Sequence, residues 1–520
     1  MRQLPAHPNI AHLKAQAKDL LRDYRAHDRA AFDRLRDALP VARGRDDAAL
    51  ADLALRLHDA QSCIAREYGF PSWPELRTYV EWQGVGGADR DVVLRRWFEL
   101  ANGHGHDAPR PAAAERALGE LGGDWRTDPY VACTIGDEAV VRQTLERDPR
   151  WANRAGGPLA MSPLLAATFS GLVQLPRFAG GLRRCVRLLL DAGADRDATW
   201  VDAAFPNRLG ALYGAAGKNH DPALTRMLLE AGADPNDGES LYHAAESSDP
   251  TCLRLLLEAG ATVSGTNALF HVLDYDNLAG LELLLAHGGD PNEVGRAPSE
   301  HIPGLERPLL HAIRRGRSLA HIDALLAAGA DVSARTASGV SAALLAFRHG
   351  RTDIVARLGL DEPLPAHERF VAACVRADRN EAAALLAAHP ALLRELSEEQ
   401  LRLLPVLAEG GRREAVELMV ALGWPIDVRG ADWSASALNV AVFRGDAELT
   451  EFLLEHGANW NEKHGYNDNV MGTLSFASRA ETVADGDWLG CARALVAHGM
   501  PRPPARYTFA DDVASYFSAP

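Results

Sequence analysis

A short leucine-rich segment that ends in glycine and runs into a small or polar turn returns again and again along this chain. Its clearest copies are Leu188–Asp195, Met227–Asn236, Leu255–Ala261, Leu283–Asn292, Leu325–Asp331 and Phe452–Asn459. From Gly193 to Gly329 the terminal glycines are 39, 28, 28 and 41 residues apart; Gly423, Gly457 and Gly499 follow at steps of 34 and 42. That period is the range of helical repeats. Ahead of several copies lies a second short segment of small residues, as in Ser162–Ala167, Ser240–Ala245 and Ser436–Ala441. Alanine lets the next repeat approach closely, and the leucines fill the shared core. Glycine after the leucine helix permits the positive φ that closes it. One pair alone buries too little apolar surface, so the expected fold is a stack.

These motifs resemble the ankyrin repeat family, whose pattern is a TPLHxAA helix, a glycine, a leucine helix and a GAD-x-N turn. The resemblance runs over 128–500, from Asp128 to Met500. It implies an all-α fold: an α-solenoid of about nine helix pairs, several of them degenerate, with finger-like turns along one edge and a concave groove. It also implies a role in binding other macromolecules. The units between Gly329 and Gly423 depart from the pattern, as does the first one, beginning at Pro129. Longer steps mark insertions: Pro158–Met161, Trp200–Asn207 and Glu293–Glu306 extend fingers, and Leu172–Gly181 lengthens the connection within one pair. Loops on a rigid stack are the usual places for recognition, which singles out Trp200 and Asn207 as binding candidates.

Residues 1–85 lack the repeat and read as a helical arm. Ile10, Leu13, Ala17, Leu20 and Tyr24 recur at helical spacing behind the cap Asn9, and a second apolar series runs from Leu50 to Tyr68. Phe70 and Trp73 are expected to anchor one helix on another, with Ser72 capping the last. Leu57–Val80 looks like an arm that precedes ankyrin repeats in some bacterial proteins. Residues 86–127 are expected to be a linker with one short helix, Asp91–Leu100, and 501–520 a carboxyl-terminal tail.

With 70 acidic and 55 basic residues the net charge is −15, which disfavours generic attraction to nucleic acid or to an anionic membrane. The amino end lacks the apolar stretch of a secretory signal, and the six cysteines include no CxxC pair, so the expected location is cytoplasmic. No phosphate-cradling loop, dinucleotide fingerprint, zinc-protease motif or hydrolase elbow is present, and no cofactor is expected.

Polar residues at first-helix positions supply the other candidates. His243, His271 and His311 fall in register in successive repeats, each followed three residues later by a charged group: Glu246, Asp274 and Arg314. They read as a ladder able to bind an extended partner. Zinc–nitrogen bonds are about 2.0 Å, whereas equivalent positions on stacked helices are about 10 Å apart, so no shared metal site is expected. The Asn102–His106 stretch, with His104 and His106, would hold a metal weakly at best. Near the carboxyl end, Arg444 precedes a finger that carries His464, Tyr466, Asn467, Asp468 and Asn469, with Arg479 beyond. Arg444, Asn467 and Asn469 are binding candidates. His464, Tyr466, Asp468 and Arg479 offer a base, a phenol, a carboxylate and an anion clamp, enough for a small polar ligand or acid–base chemistry.

The expectation is therefore a noncatalytic recognition scaffold that meets a protein partner through its fingers and groove. The alternative is an enzyme or small-metabolite binder centred on His464–Arg479. The two differ in whether those side chains converge on one pocket.

Overall fold

The computed structural model describes every residue except 1, 6–7, 54, 85–88, 122–123, 203–204, 296–305, 360–363, 431–432, 481–482, 484–485, 505 and 519–520. The chain divides into two compact units, Met1–Asp290 and Pro291–Pro520.

The first unit begins with the arm, whose helices are Ile10–Arg25, Arg29–Ala38, Asp47–Ala51, Leu57–Glu67 and Trp73–Gln83. Asn9 caps the first by accepting the His12 N–H at 3.2 Å, and Leu13, Ala17, Leu20 and Tyr24 are buried as their spacing requires. Phe70 and Trp73 are buried, with the Arg116 guanidinium 3.8 Å over the Phe70 ring. Arg116 belongs to a helix, Pro111–Glu120, in the stretch expected to be a linker with one short helix. Among the described residues two α-helices stand there, Arg90–Asn102 and Pro111–Glu120. The second is held by Glu75, which accepts the Ala112 and Ala113 N–H groups, and by Glu120, which accepts from Tyr79 and Trp82. Both helices touch the repeats that follow, so the arm continues into the repeat core rather than being tethered to it.

Five pairs complete this unit: Pro129–Ile135 with Glu138–Arg147, Pro163–Thr168 with Pro176–Asp191, Tyr213–Lys218 with Pro222–Glu230, Ser240–Ala244 with Thr251–Glu258, and Ala268–Asp274 with Leu278–Ala286. Two differ from the pattern. Leu172–Gly181 is not a loop: after a 3₁₀ turn at Gly171–Gln174, the leucine helix starts early, at Pro176, where proline suits a first-turn position. Tyr213–Lys218 winds as a π-helix. The finger between these two pairs is a β-hairpin, Thr199–Asp202 against Phe205–Gly210.

The second unit holds six pairs: Pro308–Arg314 with Leu319–Ala327, Ala342–Arg348 with Thr352–Leu358, Ala366–Val375 with Arg379–Ala388, Leu403–Glu409 with Arg413–Ala421, Ala437–Phe443 with Ala447–Glu455, and Val470–Ala480 with Trp488–Ala497. The degenerate stretch thus folds as complete pairs, which raises the number among the described residues from the nine or so legible in the pattern to eleven. Within it Arg348 and Glu368 form a bidentate pair at 2.8 and 2.6 Å with both side chains buried. The expected tail carries a helix, Asp511–Ser518, that packs on Trp488–Ala497 and buries Val513. It covers the apolar face that the last pair would otherwise leave open.

The terminal glycines behave as their position demands: Gly193, Gly232, Gly260, Gly288, Gly329, Gly423, Gly457 and Gly499 have φ between 82° and 96°. Beyond two of them, asparagine side chains tie neighbouring turns together. Asn153 donates to the Gly193 carbonyl at 2.9 Å and accepts the Asp195 N–H at 2.6 Å. Asn292 makes the same two bonds to Gly329 and Asp331, at 2.9 and 2.8 Å. Replacing Asn292 with alanine removes both and is expected to cost about 1–2 kcal/mol. Faster hydrogen exchange in the 329–333 turn, with the helix Leu319–Ala327 still protected, would verify a local brace.

Candidate functional site

The densest group of titratable side chains lies in the first unit. Ser240–Ala244 is a five-residue helix that continues as a turn through Glu246. Its geometry puts Glu239, His243 and Glu246, spaced i, i+4 and i+7, on one face. The next repeat adds His271 from Ala268–Asp274. Glu246 Oε1 accepts from His243 Nδ1 at 2.6 Å and from His271 Nε2 at 3.0 Å. On the other side of the His243 ring, Glu239 Oε2 lies 3.3 Å from Nε2.

The rings are wedged. Tyr242 stacks on His271 at 3.7 Å and 19°, and Tyr213 meets His243 edge-on at 5.1 Å. His106 stacks on His243 at 4.9 Å, and its Nδ1 lies 3.2 Å from the Tyr213 hydroxyl. His106 arrives from the loop between the two connector helices. Gly103 turns that loop with φ +70°, and a Cβ there would lie 2.1 Å from the Asp107 carbonyl oxygen. The buried Lys218 donates to Gly105 at 2.6 Å from the π-helix and pins the loop.

Burial opposes charge on His243, but Glu239 and Glu246 outweigh it and raise the ring to about 9. Burial likewise opposes ionisation of Glu246, yet His243 and His271 hold its carboxyl at about 2. At neutral pH the centre is an imidazolium–carboxylate pair. Burial, and then the charge of His243, lower the His106 ring below its ordinary value.

The structure brings His243 and His271, two histidines of the sequence register, together on Glu246. Helix axes about a helix diameter apart do not keep side-chain tips apart when both rings lean toward a carboxylate placed between them. Glu239 was missed although its position four residues before His243 is a helical-face signal. His106 was set aside, and nothing local in the sequence joins it to residues 137 positions away. Asp274 is exposed at the end of its helix. His311 lies buried in the second unit, where Arg314 pairs with Glu306 at 2.8 Å and Glu399 at 3.1 Å.

Trp200 is not a free finger residue. It is buried, its indole donates to the Leu159 carbonyl at 2.8 Å, and its ring edge meets Phe169. The side chain of Asn207 falls outside the described residues.

In the second unit the polar residues of 464–479 do not converge. His464 is buried beneath Trp433, and its Nδ1 accepts the Tyr466 N–H at 3.3 Å. Asp468 accepts from the Tyr507 hydroxyl at 2.7 Å and from the Asn469 N–H at 2.8 Å. Asn467 takes the left-handed turn conformation with φ 61°, and Asn469 donates to Asn461 at 2.8 Å. Arg479 donates to the Ser475 carbonyl, and Arg444 to the Glu409 carbonyl. His464, Asn467 and Asn469 are engaged within the finger and Asp468 with Tyr507 of the carboxyl-terminal segment, an arrangement that gives the acid–base alternative no support. Trp424 is buried against Phe370 with its indole donating to the Leu401 carbonyl. What the finger does expose is Tyr466, 69% accessible, with Phe476 at 55% on the following helix, where it stacks against Phe443.

A family model described as ankyrin repeats (3 copies) matches residues 212–295, and one described as ankyrin repeat matches 435–465. Among solved structures, the chain is similar to the ankyrin repeat domain of Bcl-3, described as a unique member of the IkappaB protein family. That likeness has 23% identity over 44% of this chain and 97% of the other, with a TM-score of 0.35. Comparison with curated proteins gives no match. Among the described residues no helix is long and apolar enough to cross a membrane.

Proposed function

We propose that this chain, which carries ankyrin repeats over 212–295 and 435–465, is a noncatalytic scaffold that binds a protein partner through its fingers. Ankyrin repeats are generally protein–protein interaction scaffolds. The observation that carries the reading is the division of labour within the finger 459–469: its polar groups bond one another and the backbone, while Tyr466 and the nearby Phe476 face solvent. A pre-ordered turn that presents an aromatic side chain loses little entropy when a partner covers it. The net charge of −15 favours a basic or neutral protein partner over nucleic acid.

The test is affinity capture from native cytosol with the full chain and with Tyr466→Ala/Phe476→Ala, followed by affinity measurement on the purified partner. Loss of two exposed aromatic anchors is expected to weaken binding by about 2 kcal/mol or more, tenfold or greater. A partner held equally well by both proteins would remove this finger from the interface. A capture that retains small molecules but no protein would overturn the reading.

A further inference from the structure

Beyond the scaffold role, we infer that His243, Glu246 and His271 form a binding site for one divalent transition-metal ion of the Zn²⁺ class, with Glu239 positioning His243. Two imidazoles and one carboxylate, with a coordination position left for water, are a donor set that such ions accept. The three ligand atoms lie within 4.8 Å of one another. Metal–ligand bonds of about 2.0–2.2 Å in tetrahedral geometry place donors about 3.3 Å apart. The present separations of 2.6 and 3.0 Å around Glu246 Oε1 lie close to that spacing, and a flexible carboxylate can open them.

Three further observations favour a metal over a merely satisfied polar cluster. Glu239 stands 3.3 Å from His243 Nε2 while Nδ1 faces Glu246. That is the arrangement in which an outer carboxylate fixes the tautomer and leaves the other nitrogen for an ion. The rings are already oriented, His271 by stacking on Tyr242 and His243 by His106 and Tyr213, so little order has to be created on binding. The ligands are also reachable: the His243 and Glu246 side chains keep 16% and 26% of their surface accessible.

The site is tested with the full chain after chelator treatment. Zn²⁺ is titrated calorimetrically, and Co²⁺ is followed by its visible ligand-field bands. One ion per chain is expected, with a Kd on the order of 1 μM or tighter. Glu246→Gln and His271→Ala should lose more than the ~10–100-fold typical of an outer-shell change, and Glu239→Gln should fall within that range. Glu246→Gln is nearly isosteric and keeps a hydrogen-bonding group, so it preserves the fold if His271→Ala does not; circular dichroism establishes that each variant is folded. His464→Ala, in the other unit, is expected to bind as wild type. Absence of stoichiometric binding, or binding unchanged in folded Glu246→Gln, overturns the assignment.

Discussion

Glu368→Ala is expected to destabilise the second unit by about 3–5 kcal/mol, because it leaves the Arg348 guanidinium as an uncompensated buried charge. The two side chains are only 7% and 5% accessible, and the carboxylate takes both guanidinium bonds. The other guanidinium nitrogen, Arg348 Nη1, is 3.5 Å from Glu399, too far to replace them. An apolar pair tests the same physics from the other side. Arg348→Met/Glu368→Leu removes both charges and should recover most of the loss, since a buried ion pair is worth little more than well-packed hydrocarbon of similar volume. The measurement is hydrogen exchange in Ala342–Arg348 and Ala366–Val375, together with the denaturation midpoint of the whole chain. A single variant within 1 kcal/mol of wild type would mean that water reaches this pair.

Trp97→Ala should cost a similar ~3–5 kcal/mol, with a different signature. Trp97 is wholly buried, lies edge-on to Phe98, and donates its indole N–H to the Ala114 carbonyl at 3.0 Å. Its helix, Arg90–Asn102, touches both Pro111–Glu120 and the first repeat helix, Pro129–Ile135. Truncation leaves a cavity and removes one buried hydrogen bond at the place where arm and repeats share one core. Limited proteolysis is expected to release a fragment ending near residues 83–90 while repeats 163–286 stay protected. Val92, on the same helix but 49% exposed, provides the control: Val92→Ala should leave the digestion pattern unchanged. An arm equally protected in Trp97→Ala would mean that it holds to the repeats by other contacts.

What could be read without coordinates was everything local and periodic. The leucine helices announce themselves by spacing, the turns by glycine, and the amphipathic arm by Ile10, Leu13, Ala17, Leu20 and Tyr24. Each is decided within a few residues by propensity, capping and burial of one face. The histidine register was visible for the same reason, since repeats align their own equivalent positions. Trp200 shows where this reasoning fails. An inserted aromatic residue in a finger reads as exposed, yet an indole carries both apolar surface and a donor, and the preceding repeat supplied Phe169 at the end of its first helix and the Leu159 carbonyl of its finger for both. The 464–479 stretch fails in the opposite direction. Its mixture of polar types suggested chemistry, and the groups instead satisfied one another's hydrogen bonds, as buried turn groups must.

By itself, then, the amino-acid order determined that the chain is built of paired short helices, where most of them close, and which positions face the shared core, because these are short-range consequences of periodicity and backbone conformation. Only the tertiary structure decided that His106 lies against His243, that Glu246 sits between two histidines, and that Arg348 finds Glu368. Those contacts depend on how far side chains reach across stacked elements and on which loop folds back, and no local spacing encodes either.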